Sequence, residues 1–96
     1  MPRLTVTPLT DPHLRRLRPG SRPIDLRDGA ARGLILTVLP TGRKQFSVRY
    51  VFGGKHKRVV LGEYPQLTLA KAREAAGDMR ARIRNGEDPA GGRRAE

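Results

Sequence analysis

The stretch GLILTVLPTGRKQFSVRYVFGGKHKRVVLGEYP, Gly33 to Pro65, decides the fold. It reads as three short strands with a basic strip on one side. Gly53-Gly54 suits a two-residue hairpin loop, because glycine takes positive φ at little cost. With that loop, Phe52 faces Lys55, Tyr50 faces Lys57, Val48 faces Val59 and Phe46 faces Leu61 on one side. Val51 faces His56, Arg49 faces Arg58 and Ser47 faces Val60 on the other. Side chains alternate across a strand, so a single register sorts both strands into an apolar and a mixed polar face. Like charges directly opposed on a sheet are destabilising. The Arg49–Arg58 opposition is accounted for by a polyanion over that face, or by two solvated arginines splaying apart.

The first strand, Leu34 to Leu39, is apolar except for Thr37. Placing Val38 opposite Phe46 leaves a loop of Thr41, Gly42 and Arg43, with Gly42 free for positive φ. Leu36 then faces Val48 and Leu34 faces Tyr50. The open face carries Ile35, Thr37, Gln45, Ser47, Arg49, Val51, His56, Arg58 and Val60.

The sheet feeds a helix over residues 68–85, with Thr68 as N-cap. Leu69, Ala72, Ala76, Met79 and Ile83 form one inward stripe at helical spacing. This stripe is core, expected over Val48, Val59 and Leu61. Gly86 fits the left-handed position after the helix and Pro89 prevents its continuation. Before the sheet, residues 1–32 read as a basic lead-in. Thr10 or Asp11 caps a short helix with Pro12 at its first position, and Leu14 and Leu17 face inward. Ile24-Asp25-Leu26 adds a short extended piece and Asp28-Gly29 a turn. Residues 87–96 read as a linker to a C-terminal region absent from the 96 residues. The expected fold is α+β: a three-stranded antiparallel sheet (residues 33–62) packed against one C-terminal helix, the two together spanning residues 33–86, with a short N-terminal helix or extended lead-in, in a domain of about residues 9–89.

Lysine and arginine number 20 against 9 acids, for a net charge of +11 and a pI near 11.5. This charge calls for an anionic partner, nucleic acid before an anionic membrane surface. Arginine supplies most of the excess, and its planar fork binds phosphate and guanine edges bidentately. With no cysteine, neither disulfides nor cysteine–zinc sites hold the fold. No apolar run approaches a membrane span, and Met1 to Thr10 lacks the apolar core of a secretion signal. A cytoplasmic protein without a membrane partner fits.

Beyond these patterns the chain resembles a known family. Asp28-Gly, Gly33-Leu-x-Leu-x-Val, Pro40-x-Gly-x-Lys44 and Phe46-x-x-Arg49-Tyr50 carry the likeness. So do Gly54-Lys55, Leu61-Gly-x-Tyr-Pro65, Leu69-Ala-x-Ala-Arg73 and Gly86-x-Asp-Pro89. They are similar to the N-terminal arm-type DNA-binding domain of phage- and genomic-island-type tyrosine recombinases, the integrases. Two departures stand out: Phe46 where that family often has tryptophan, and Lys71 where it has an acid. The resemblance implies sequence-specific binding of double-stranded DNA at arm-type sites, through a sheet inserted in the major groove, in DNA integration and recombination. It places the protein in the bacterial cytoplasm, on the nucleoid in use, with neighbouring integrase protomers as further partners. Arg49 and Arg58 are the first candidates for base edges, followed by Gln45 and Ser47, with Thr37 and Val60 for thymine methyls. Arg43, Lys44, Lys55, His56 and Lys57, at or near the turns, are candidates for phosphates, which position without specifying.

No enzymatic activity is expected of these residues alone. His13-Leu14-Arg15-Arg16 matches the short His-x-x-Arg pattern of the recombinase catalytic box, but it lies in the lead-in without a nucleophilic tyrosine in context. Tyr50 and Tyr64 read as core and turn residues. No catalytic residue, metal or cofactor is assigned. Two other classes remain: a free-standing small nucleic-acid-binding regulator, and a protein-interaction module of a recombination complex.

Overall fold

The computed structural model describes residues 8–89. A six-residue helix, α1 (Asp11–Arg16), is followed by four strands, β1 (Ile24–Arg27), β2 (Leu34–Val38), β3 (Lys44–Phe52) and β4 (Lys55–Tyr64). The long helix α2 (Leu69–Arg84) closes the order. The strands form one antiparallel sheet in the order β1-β2-β3-β4. The architecture is α+β, but the sheet has four strands rather than three. The short piece at Ile24 is a full strand because Leu26 faces Leu36 and Ile24 faces Val38 across the β1–β2 ladder. Four residues with only Ile24 and Leu26 apolar give too short an alternation to register the strand from sequence.

The β3–β4 hairpin turns at Gly53-Gly54, both at positive φ, and pairs as expected from Phe52–Lys55 back to Ser47–Val60. Beyond that point Phe46 faces Gly62 instead of Leu61. A β-bulge holds Leu61 as the extra residue, and nothing in an apolar run signals an insertion of one. The β2–β3 register is displaced by two residues from the expectation: Leu36 faces Phe46, Leu34 faces Val48, Ile35 faces Ser47, Thr37 faces Gln45 and Val38 faces Lys44. The loop has the expected length but begins one residue earlier. The Leu39 N–H donates to the Arg43 C=O, the Gly42 N–H donates to the Leu39 C=O, and Gly42 has φ +97°. Side-chain direction repeats every two residues, so a slip of two leaves both faces unchanged and pattern cannot detect it.

The core lies between the sheet and the two helices. Phe46, Leu34, Leu36, Val38 and Val48 are fully buried, joined by Leu9, Leu14, Leu69, Ala72 and Ala76. Thr10 caps α1 by accepting from the His13 N–H, and Thr68 caps α2 by accepting from the Lys71 N–H. Val59, Leu61, Met79 and Ile83 are half-buried at the core's margin rather than at its centre. The fourth strand shifts the sheet's midline to β2–β3, so the centre of the core moves with it.

One ion pair ties the lead-in to α2. The Asp28 carboxylate is fully enclosed and accepts from Arg73 Nε at 2.7 Å, from Arg73 Nη2 at 3.1 Å, and from the N–H groups of Leu9 and Ala30. Arg73 also donates to the Leu9 C=O at 2.8 Å. Burial pushes the Asp28 carboxyl up, but its hydrogen bonds from Arg73, Ala30 and Leu9 and the guanidinium charge outweigh it and hold the group below its ordinary value. The hydrogen bond to the Asp28 carboxylate in turn raises Arg73. At the other end, Asp88 accepts from the Tyr50 hydroxyl and from the Lys57 ammonium, and Pro89 is buried. Two residues of the expected linker of residues 87–96, Asp88 and Pro89, are thus docked on the domain. Residues 90–96, like 1–7, lie outside those described, and with them Gly91 to Arg94 and the first seven residues of the lead-in.

Candidate functional site

The sheet face turned away from α2 carries a polar cluster at its middle. Arg49 and Arg58 are paired across β3 and β4, as their hairpin register requires. Their charges are bridged within the chain. Asp25 on β1 faces Thr37 on β2, and its carboxylate lies 3.4 Å from Arg58 Nη2 and 3.7 Å from Arg49 Nη2. The Thr37 hydroxyl donates to Asp25 at 2.6 Å. The like-charge opposition is therefore relieved by a carboxylate of the chain itself, not only by an external anion. Sequence reasoning missed Asp25 because it sits on the strand whose register was unread.

Arg58 is oriented by more than its charge. Its Nε donates to Ser47 Oγ at 3.1 Å, and its Nη2 approaches Asp25 Oδ2 and, at 3.5 Å, Thr37 Oγ1. These contacts use the Nε–Nη2 edge of the fork. Nη1 makes none of them, and the side chain is 41% exposed. Thr37 fits both partners, since a hydroxyl donates one hydrogen and accepts on two lone pairs. The ion pairs are solvent-exposed and add little stability. Their consequence is geometric, a guanidinium oriented through Nε and Nη2 with Nη1 outside those contacts.

The candidate base-contact residues divide on this face. Arg49, Arg58 and Val60 are exposed, Val60 at 55%, and Gln45 is half-buried. Ser47 and Thr37 share the face but are 1% and 7% exposed, under the Arg58–Asp25 bridge. Ile35, also expected on the open side, is buried as well. Val51 is exposed beside His56 and belongs with Val60, as its place in the alternation already suggested.

The candidate phosphate contacts divide too. Arg43 and His56 lie on the Arg49 face; Arg43 stands 3.5 Å from Glu63. Lys55 is exposed at the Gly53-Gly54 turn. Lys44 and Lys57 alternate to the α2 side, and Lys57 is held by Asp88 with its ammonium 5.9 Å from the Phe52 ring centroid. Lys57 therefore serves the fold rather than the open face. The His13-Arg16 pattern lies on α1. Tyr50 is core, and the Tyr64 hydroxyl donates to Asp11. Among the described residues no cluster of histidines and carboxylates could hold a metal ion, and no helix is long and apolar enough to cross a membrane.

Comparison with known proteins shows the family. Residues 9–96 match the family described as Arm DNA-binding domain. Prophage integrase IntZ of Escherichia coli strain K12 is 35% identical over 86 residues, covering 90% of this chain and 21% of that protein. The integrase of Shigella phage Sf6 and prophage integrase IntS of Escherichia coli K12 are each 38% identical over 81 residues, covering 84% of this chain and 20% of each relative. The chain thus spans about a fifth of the length of the curated relatives it matches.

Proposed function

The chain belongs to the Arm DNA-binding domain family, and on that premise we propose that the sheet face centred on Arg49 and Arg58 reads arm-type sites in the major groove of duplex DNA. The observation that carries the reading is the Arg58 fork. Its Nε and Nη2 are held by Ser47, Asp25 and Thr37, which fixes the direction of an exposed side chain and leaves Nη1 to meet base edges. Guanine offers O6 and N7 to a guanidinium, and a small sheet fits the roughly 12 Å groove. Arg49 supplies a second guanidinium beside it, Gln45 an amide suited to adenine, and Val60 and Val51 apolar contact for thymine methyls. Ser47 and Thr37 act through Arg58, which covers them. Arg43, Lys55 and His56 contact phosphates at the margins.

The similarity to prophage and phage integrases supports a place for this domain in a longer site-specific recombinase, acting in DNA integration and recombination, in the cytoplasm and beside neighbouring protomers. Catalysis would then reside in other residues of that longer protein.

A salt titration against duplexes carrying candidate arm repeats and random duplexes tests the reading. Wild type is expected to show a steep log–log slope on both, roughly 0.9 per phosphate neutralised, and tighter binding to the arm repeat. Asp25→Asn removes a negative charge from the interface and loosens the Arg58 fork. It should bind random DNA more tightly and lose part of the preference for the arm repeat. A slope near zero for wild type, or an Asp25→Asn domain with undiminished preference, contradicts the reading.

A further inference from the structure

Where β2 begins, the sheet is bordered by an open cleft of about 580 Å³. Arg27, Arg32, Arg49 and Arg80 line it around Gly33. Its acidic wall residue, Asp28, is already engaged by Arg73. Among the described residues, no ion pair engages Arg27, Arg32 or Arg80. Gly33 keeps the floor bare. It has φ +84°, and a Cβ there would stand 2.8 Å from the Arg49 C=O and 3.5 Å from Arg80 Nη1, so any other residue is both strained and obstructed. Arg80 comes from α2, on the far side of the sheet, and reaches this border past the glycine.

We propose that this cleft binds a phosphate of the DNA backbone, as a clamp at the margin of the groove-facing sheet. The inference rests on the reading above, that this face docks in the major groove. Beyond the start of β2 only β3 and β4 continue as a paired ribbon, a width that a major groove admits, so the border beside β3 faces a sugar–phosphate wall. Arg49 belongs to both the open face and the cleft, so a duplex lying on one continues over the other. Guanidinium groups match phosphate oxygens bidentately, and Arg27, Arg32 and Arg80, unlike Arg49 with its Asp25 contact, lose no internal ion pair on binding. Arg27 and Arg32 belong to the basic lead-in and Arg80 to α2; they come from a strand end, a turn and a helix that only the fold brings together.

The test uses the 96-residue chain with Arg32→Ala/Arg80→Ala and with Arg32→Lys/Arg80→Lys, titrated with salt against arm-repeat and random duplexes. The alanine variant is expected to weaken binding to both duplexes by the same factor, and to lower the slope by about one unit, the change that accompanies one fewer phosphate neutralised. The lysine variant should keep the wild-type slope, because the slope counts charge rather than fork geometry. Arg32→Ala alone, at an exposed turn position, gives the same direction of change without touching α2. An unchanged slope in the alanine variants overturns the proposal. So does a loss confined to binding of a glutamate-rich peptide, which would make the cleft a protein contact. If wild type prefers the arm repeat and the slope stays fixed in the variants, the clamp alone fails. If wild type has no preference, the base-reading face fails, and the slope on random DNA still decides the clamp.

Discussion

Arg73→Ala is expected to lower the stability of the domain by about 3 kcal/mol, the scale of a buried ion pair broken on one side. The loss arises at Asp28, whose carboxylate is fully enclosed and would keep only the Leu9 and Ala30 amides. It sits at the lower end of that scale because Arg73 leaves 32% of its side chain in water. The variant also loses the bond from Arg73 to the Leu9 C=O, which ties the lead-in to α2. A pH arm gives the expectation its sign. The Asp28 carboxyl is held below its ordinary value of 3.8 in the fold. Its contribution is therefore complete above the unfolded value, near pH 4, and is lost as pH falls through the lower folded value. Wild type should lose stability on acidification below about pH 4 more steeply than Arg73→Ala does. Denaturant midpoints measured across that range check both parts. A neutral Arg73→Ala, or acid profiles that run parallel, would show that the pair is ornamental to the fold.

Phe46→Ala is expected to cost about 3–5 kcal/mol, comparable with much of the stability of a small domain. Phe46 is fully buried at the middle of the core and meets Tyr64 edge to face, with ring centroids 6.2 Å apart. Truncation removes the largest fully buried side chain and leaves a cavity that strands paired on both sides close poorly. Val60→Ala, on the opposite face and more than half exposed, should stay within about 0.5 kcal/mol. The milder Phe46→Leu keeps the ordering measurable if the alanine variant is largely unfolded. Should Val60 prove the more damaging position, the two faces of β3 and β4 would be exchanged and the candidate site would lie against α2.

The β3–β4 hairpin and both helices were legible because each carries a local rule. Adjacent glycines set the turn, alternation sorted the faces, and Thr10 and Thr68 preceded helical patterns. The β2–β3 slip and the Leu61 bulge were not, since period-two patterning is blind to the first and an apolar run hides the second. At the site, Arg49 and Arg58 followed directly from the hairpin register. Asp25 did not, because its place depends on an edge strand of four residues. With Asp25 unplaced, the burial of Ser47 and Thr37 beneath Arg58 was also out of reach. Lys57 looked like a surface cation near a turn, yet its partner Asp88 lies 31 positions away. The Asp28–Arg73 pair joins residues 45 apart, and the one hint of it was that both stand in the motifs that carried the family resemblance.

The central claim is that the fork of Arg58, with Arg49 beside it, reads bases rather than merely attracting phosphates. The direct measurement is a paired titration of Arg58→Ala, and of Arg49→Ala, against the arm-site duplex and a random duplex at one salt concentration. Each substitution should weaken binding to the arm site by about 1–3 kcal/mol, the scale of a good bidentate base contact, and weaken random DNA by less, so that the specificity ratio falls. Equal losses on the two duplexes would make both arginines phosphate contacts, and no loss on either would place the DNA on another surface of the domain.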